Sequence, residues 1–365
     1  MQLVQGMRKV PLRDRVAFNS MFVLEHLLPR SRSVKARRRR AHERVVEAVR
    51  RGGPGRRIEV ERRRDLSPRE FRRDYLRKGI PVVLEGAASE WPLMERWTFE
   101  EFRRNYGGET IKLVQREGLT DEEVVTDREY SEEIGFGEFL DLVLAGDAKY
   151  MRFSPLLERF PELLRHFDHA YFERLARSRI GMTFQMFIGG GGTLTPFHNA
   201  VSPFLFTTVA GTKRWLLVPT HYQAVMNPSV DGFEYGHSGV AVDLSNADEY
   251  PGLESIDHLE AITEPGDLLF VPSWMWHAVV NDDATIGVRC GFMYLPGLVR
   301  ESFSLTFIRV FAGDLGLLRW FYYSFIDTNL PDRQQNLVTP KWFRFRRELD
   351  DGPVVGPSDS AGSVR

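Results

Sequence analysis

The stretch "TLTPFHNAVSPF", residues 193–204, decides how this chain is read. It follows four consecutive glycines, Gly189–Gly192, and its Thr-Pro pair leads into His198, with Ala200 two positions on. Short β-rich runs flank it: "MTFQMFIG" before, then "PFLFTTVAG", "KRWLLVP", "DLLFVP", "HAVVN" and "TIGVRCGFMY". Strands this short, separated by turn signals, predict an antiparallel barrel or sandwich. The tetraglycine has no Gly-Lys-Ser/Thr after it and opens no helix. It therefore reads as a hairpin or strand crossing, not as a phosphate cradle.

Working outward, the chain before residue 181 alternates helix and strand. "SPRE" at 67–70 is a capping box with Pro68 at the first helical position, and Gly79 closes that helix. "IPVVL" is a buried strand. "TFEE" at 98–101 repeats the box, and Gly107-Gly108 end the helix before the strand "IKLVQ". A helix over "FGEFLDLVLAG" leads to the strand "KYMRF" at 149–153. Residues 300–345 return to helix, and "GPVVGPSDSAGSVR" reads as a disordered tail. The expected organisation is a basic helical arm over 1–64, a β-rich domain over 65–299, a helical region over 300–350 and a tail over 351–365.

A chain of 365 residues can bury a full core. Its single cysteine, Cys290, makes no internal disulfide and reads as a small buried strand residue, which suits a reducing cytoplasm. The near-zero net charge conceals a split, since residues 1–64 hold 19 Lys/Arg against 6 Asp/Glu. Such an arm suits anionic lipid, phosphates or the acidic remainder of its own chain. Residues 1–28 read as an amphipathic helix with Val16, Phe18, Met21, Phe22, Leu24 and Leu28 in one stripe. Arg309, Asp314 and Arg319 argue against a membrane span in "FSLTFIRVFAGDLGLLRWFYYSF".

Chemistry converges on three places: His198 after the glycines, Lys213 in the hairpin "AGTKRW", and His277 in "EPGDLLFVPSWMWHAVV". Two neutral imidazoles meeting at a barrel mouth suit a first-row transition metal such as iron. Spacing alone does not establish this, since strand histidines also pack in cores. His221, His237, Asp243 and His258 lie between the pair and read as surface-loop residues.

In order, "PVVLEGAASEWPLMERWTFEEFRRNYG", "YMRF", "FIGGGGTLTPFHNA", "GTKRWLLVP" and "EPGDLLFVPSWMWHAVV" resemble the JmjC/cupin-like family of Fe(II)/2-oxoglutarate oxygenases over roughly residues 65–295. The asparaginyl hydroxylase of hypoxia-inducible factor belongs to the same group. The resemblance implies a mainly β fold: a double-stranded β-helix, or jelly roll, with N- and C-terminal helical extensions. It implies iron held by a His-x-Asp/Glu…His triad, whose positions here are His198, Ala200 and His277. It also implies that Lys213 and Thr195 meet the distal carboxylate of 2-oxoglutarate, assisted by Tyr150, with Phe204 where relatives often carry a polar residue. Physically, an ammonium suits the buried end of a dicarboxylate.

Ala200 breaks the pattern, because a methyl group cannot coordinate a metal. Asn199, next to it, should point to the other strand face. Three readings stay open: an oxygenase with an atypical site, a halogenase-like enzyme with chloride in the vacated position, and a binding module without catalysis. The substrate, a protein side chain or a small molecule, is not encoded in the specificity loops. Phe303, Phe307, Phe311, Trp320, Phe321, Tyr322 and Phe325 either cover the barrel end or form a homodimer interface. The arm adds the expectation of peripheral membrane or anionic-partner affinity.

Overall fold

A computed structural model describes residues 6–114, 130–152, 156–177, 182–228, 230 and 236–311. Among the described residues fourteen strands form two large sheets and a hairpin. The smaller sheet orders β1 (Arg57–Glu59), β11 (His258–Thr263), β10 (Lys213–Val218), β13 (Trp276–Asn281) and β8 (Leu194–His198). The larger runs β2 (Arg62–Arg63), β3 (Val82–Leu84), β12 (Leu268–Val271), β9 (Phe204–Ala210), β14 (Thr285–Gly291), β7 (Thr183–Gly189) and β6 (Tyr150–Met151). β4 (Thr110–Val114) pairs with β5 (Tyr130–Gly135) apart from both. Apart from the parallel pairs β1/β11 and β2/β3, every pairing is antiparallel. The expected jelly-roll core with flanking helices is what forms.

Side-chain alternation divides the interior into three clusters. Phe204, Phe206, Trp215, Leu217, Leu269, Val271 and Val279 fill the space between the two sheets. Their neighbours in sequence face outward and are covered. Leu205, Leu268, Phe270, Ile286, Val288 and Cys290 pack under the helices of residues 68–176. Leu216, Val218, Trp276 and Ala278 pack under the N-terminal helices. The central strands β9, β12, β13 and β14 are buried at nearly every residue, which explains why their runs read as nearly continuous apolar sequence.

The arm folds onto this second face as α1 (Leu12–Leu27) and α2 (Arg32–Arg50). Phe18 and Phe22 are its buried anchors, stacked at 5.9 Å, and Ala41, Val45 and Val49 join them from α2. The apolar stripe is narrower than expected, because Val16, Leu24 and Leu28 are exposed. Part of the arm's charge pairs with the body. Arg38 meets Glu25 within the arm, whereas Arg50, Arg57, Arg62 and Arg64 bind Glu254, Glu260, Asp267 and Glu85.

Asp257 is the central knot. Its carboxylate, fully buried, accepts from Arg8 Nη2 at 2.8 Å and Arg56 Nη2 at 2.6 Å. The backbone N–H groups of Arg8 and Arg56 add bonds of 2.9 Å each. Burial alone would raise this carboxyl, but the bonds from Arg56 and Arg8 outweigh it and hold it well below the usual range. Asp257→Asn should cost about 3 kcal/mol, because two guanidinium groups lose their buried partner. The stabilisation is present above the unfolded carboxylate's pKa and is lost as pH falls through the acid range. Urea unfolding at pH 7 and pH 3 checks both statements: the gap between variant and wild type should be full at pH 7 and narrower at pH 3.

The "SPRE" and "TFEE" starts form as expected: Ser67 and Glu70 make a reciprocal box, and Thr98 accepts from the Glu101 N–H at 3.1 Å. "FGEFLDLVLAG" gives the helix Phe136–Leu144. The C-terminal region is described only for the helices Leu295–Glu301 and Phe303–Phe311, with Phe303 exposed. Trp320, Phe321, Tyr322, Phe325 and the tail lie outside the described residues.

Candidate metal and dicarboxylate site

Residues 194–198 reach the barrel interior through an irregular strand. β8 pairs with β13 so that His198 opposes His277 while Thr195 opposes Val279. Four residues on one strand thus span three on the other, which is a β-bulge. Regular alternation would send positions 195 and 198 to opposite faces, and the bulge turns both inward. Pro196 fits here because it has no N–H to give to a ladder.

His277 is set by the turn before β13. Trp274 holds φ 60°, a left-handed conformation that is strained for a bulky residue. Its N–H donates to the Ala200 carbonyl at 2.7 Å, and its indole donates to the Leu298 carbonyl at 3.2 Å. These bonds hold the turn against the end of β8.

The two imidazoles lie with ring centroids 4.0 Å apart. His198 Nδ1 bonds the Pro196 carbonyl and His277 Nδ1 the Met275 carbonyl, both at 2.9 Å. A carbonyl only accepts, so each Nδ1 carries the hydrogen and each Nε2 keeps its lone pair. Burial holds His198 at about 4 and His277 well below its ordinary value, so both rings stay neutral at pH 7. That is the tautomer and charge state a metal ligand requires.

Lys213 opens β10 with no exposed surface. Along β10 and β13 it opposes Asn281, just as Leu217 opposes His277, so ammonium and imidazole line the same inner face. Its Nζ donates to Asn281 Oδ1 at 2.6 Å and Thr285 Oγ1 at 2.9 Å, and it sits 5.5 Å from the Phe206 ring centroid. Asn281 is oriented by its own Nδ2 donating to Thr193 at 2.7 Å. Among the described residues no carboxylate pairs with Lys213. Desolvation accordingly pulls its pKa down to about 7.

Thr195 Oγ1 and the Tyr150 hydroxyl meet at 3.3 Å. Their approach depends on Gly189, where a Cβ would come within 2.5 Å of the Tyr150 ring. Gly189 and Gly190 thus let β6 and the segment leading into it close over β7.

Against protein-family models, residues 68–293 match the cupin-like domain. The chain belongs to the cupin-like domain family. It is similar to lysine-specific demethylase JMJ30 of Arabidopsis thaliana, 24% identical over 237 residues covering 60% of this chain and 51% of that protein. Lysine-specific demethylase 8 of Xenopus tropicalis is 24% identical over 225 residues, 60% of this chain and 49% of the relative. JmjC domain-containing protein 8 of Homo sapiens is 25% identical over 249 residues, 64% of this chain and 86% of the relative. The chain spans about half the length of the two demethylases it matches.

Within this cupin-like site Ala200 is part-buried against the cluster between the sheets. Asn199, beside it, turns toward another segment: its N–H bonds the Gly236 carbonyl at 2.8 Å. The expectation of surface loops for the intervening residues fails for His237. It forms a bridge with His198, and their rings lie 6.4 Å apart and nearly parallel. His237 Nδ1 and both amide atoms of Asn199 are buried without a hydrogen-bond partner. No group of three His, Cys, Asp or Glu converges on one point among the described residues, so His237 borders the pair without completing a triad. His258 also departs from expectation, lying in β11 beside Glu260 at 3.5 Å. His221 is part-buried against the Arg8 carbonyl at 3.0 Å, and Asp243 is exposed.

The fit to a metal is therefore partial. Two Nε2 lone pairs fit a divalent ion such as iron, and the third protein position of a facial triad is a methyl group. Phe204 closes the inner side, its ring 5.2 Å from His277. One residue is not singled out by the sequence motifs: the Arg289 guanidinium, on β14, lies 4.8 Å over that same Phe204 ring. The period-two run Thr285, Gly287, Arg289 on a strand was the available signal.

Proposed function

We propose that this chain is an atypical Fe(II)/2-oxoglutarate-dependent oxygenase, holding the metal through His198 and His277 and the distal carboxylate of 2-oxoglutarate at Lys213. One observation carries the reading. A fully buried ammonium whose hydrogen-bond partners are neutral is costly, and it is matched when a carboxylate enters beside it. The neutral, carbonyl-anchored imidazoles on the same inner face support it. So do relatives whose names record lysine-specific demethylases.

When bound, the iron would supply oxygen activation coupled to decarboxylation of 2-oxoglutarate to succinate. The chain's own residues do the rest. Lys213 keeps its proton and neutralises the distal carboxylate, and Thr195 and Tyr150 offer hydroxyls to its remaining lone pairs. Asn281 and Thr285 fix the ammonium. Phe204, Phe206 and Trp215 exclude water, with Phe206 and Trp215 packed at 4.9 Å. The Pro196 and Met275 carbonyls hold both rings in the ligating tautomer.

Ala200 favours a second reading, a cupin-like binding module that takes up an anion without turnover. Nothing in the site speaks for chloride over other anions. Anaerobic Fe(II) titration with and without 2-oxoglutarate, then succinate detection on admitting oxygen, separates the readings. The oxygenase proposal expects uptake of both and succinate release, with uptake lost in His198→Ala. Uptake of 2-oxoglutarate with neither iron uptake nor succinate would sink it in favour of the binding module. A chloride arm should leave iron affinity unchanged.

A further inference from the structure

The inner face of β14 carries a second cation. Thr285, Gly287, Arg289 and Gly291 alternate to one side, while Ile286, Val288 and Cys290 face the helical layer. Thr285 accepts from Lys213, which fixes one end of this stripe. Four residues on, roughly 13 Å along the strand, lies Arg289. Its Nη1 donates to Gln185 Oε1 at 2.7 Å, and its guanidinium stacks on Phe204, which in turn touches His277. Gly291 makes room for it, since a Cβ there would meet Arg289 Nη1 at 3.0 Å.

Among the described residues Arg289 makes no ion pair, and burial draws it down to about 10, still charged at pH 7. Arg152, buried just past β6, adds positive charge felt at His198 and His237. The histidine pair thus lies between Lys213 at one end and Arg289 at the other, with Ala200 where a carboxylate would have offset them.

We propose that Arg289 is a second anion subsite, and that the molecule acted on beside the histidine pair carries a carboxylate or phosphate group. This deepens the dicarboxylate reading and assigns the two cations different ligands: Lys213 the co-substrate, Arg289 the substrate. A planar guanidinium held by Gln185 and Phe204 presents its remaining N–H groups as a fork, the geometry that oxyanions match. The same charge repels a cationic side chain such as methyl-lysine, so substrates of the lysine-specific relatives are a poor match here.

The test uses the full chain with saturating 2-oxoglutarate. Ligand-detected NMR follows three probes: propionate, inorganic phosphate and the amide of N-acetyl-trimethyl-lysine as cationic control. At least one anion should bind, the better one telling carboxylate from phosphate, and the cation should not. Arg289→Gln should weaken the anion about tenfold to a hundredfold and leave 2-oxoglutarate within about threefold. Lys213→Met should do the reverse. Arg289→Lys, which keeps the charge and loses the fork, should weaken the anion by only a few-fold and guards against a misfolded Gln variant. Tighter binding of the cation than of either anion, no anion binding to wild type, or anion affinity indifferent to Arg289→Gln would overturn the proposal. Should 2-oxoglutarate fail to bind while the Arg289 effect persists, the co-substrate reading falls and the subsite stands.

Discussion

Lys213→Met abolishes 2-oxoglutarate binding, with affinity falling about 100-fold or more, because a buried carboxylate then enters a site with no charge to meet it. Methionine preserves the stem and its packing on Phe206, so the loss reports the ammonium rather than a cavity. A second signature separates ligand binding from structural wear. The folded-state pKa of Lys213 is lowered to about 7, against an ordinary value of 10.5. Below pH 7 both folded and unfolded chains hold the proton, and the desolvation penalty is fully present. As pH rises through 7 the folded chain sheds the proton, and relief is complete only near 10.5. The ligand-free chain should therefore gain stability between these values, on the order of a few kcal/mol, and Lys213→Met should lack that rise. Affinity for 2-oxoglutarate should run the other way, falling about tenfold per pH unit above 7, since only the protonated lysine attracts it. Calorimetric titration at pH 6.5, 7.5 and 8.5 reads this directly. A flat profile, or a variant that binds normally, would remove Lys213 from the site.

Ala200→Asp raises Fe(II) affinity by about 100-fold, and by more if the new carboxylate ligates directly, since even outer contacts to a metal site change affinity by about 10–100-fold. The position suits the test. Ala200 lies two residues past His198 and packs against the cluster between the sheets, whose Phe204 and Trp215 rings also border His277. Its carbonyl, which holds the Trp274 turn, is untouched by the substitution. The added negative charge lies in the same interior as Lys213 and Arg289, so its burial cost is partly offset. Metal titration followed by oxygen-dependent succinate release gives the readout. If affinity rises and turnover appears only in the variant, the native chain is a binding module. If both were present already and turnover increases, the oxygenase reading holds. No change in affinity would mean that the two imidazoles do not face a common ion.

Much of the fold was legible because its signals are local. The boxes at Ser67 and Thr98 start helices through hydrogen bonds three residues apart, and the short apolar runs after 181 match the strands of both sheets. The pairing of His198 with His277 was legible only through the order of whole motifs, not through spacing. Arg289 lies in a strand run that the sequence shows, but one arginine in an apolar run does not say which face it takes. His237 lies 39 positions beyond His198, past β9 and β10, and no spacing rule connects the two histidines in the sequence.

By itself, the sequence determined the cupin-like barrel, the helical layers around it, the positions of its two histidines and lysine, and the alanine that interrupts the ligand pattern. These follow from alternation, turns and caps, which act over a few residues. Only the tertiary structure decided that a bulge at Pro196 turns Thr195 and His198 to one side, that Lys213 is buried on the neutral partners Asn281 and Thr285, and that Arg289 stands across the site from it. Charge balance in a buried space sums over strands distant in the chain, so it exists only once the sheets have closed.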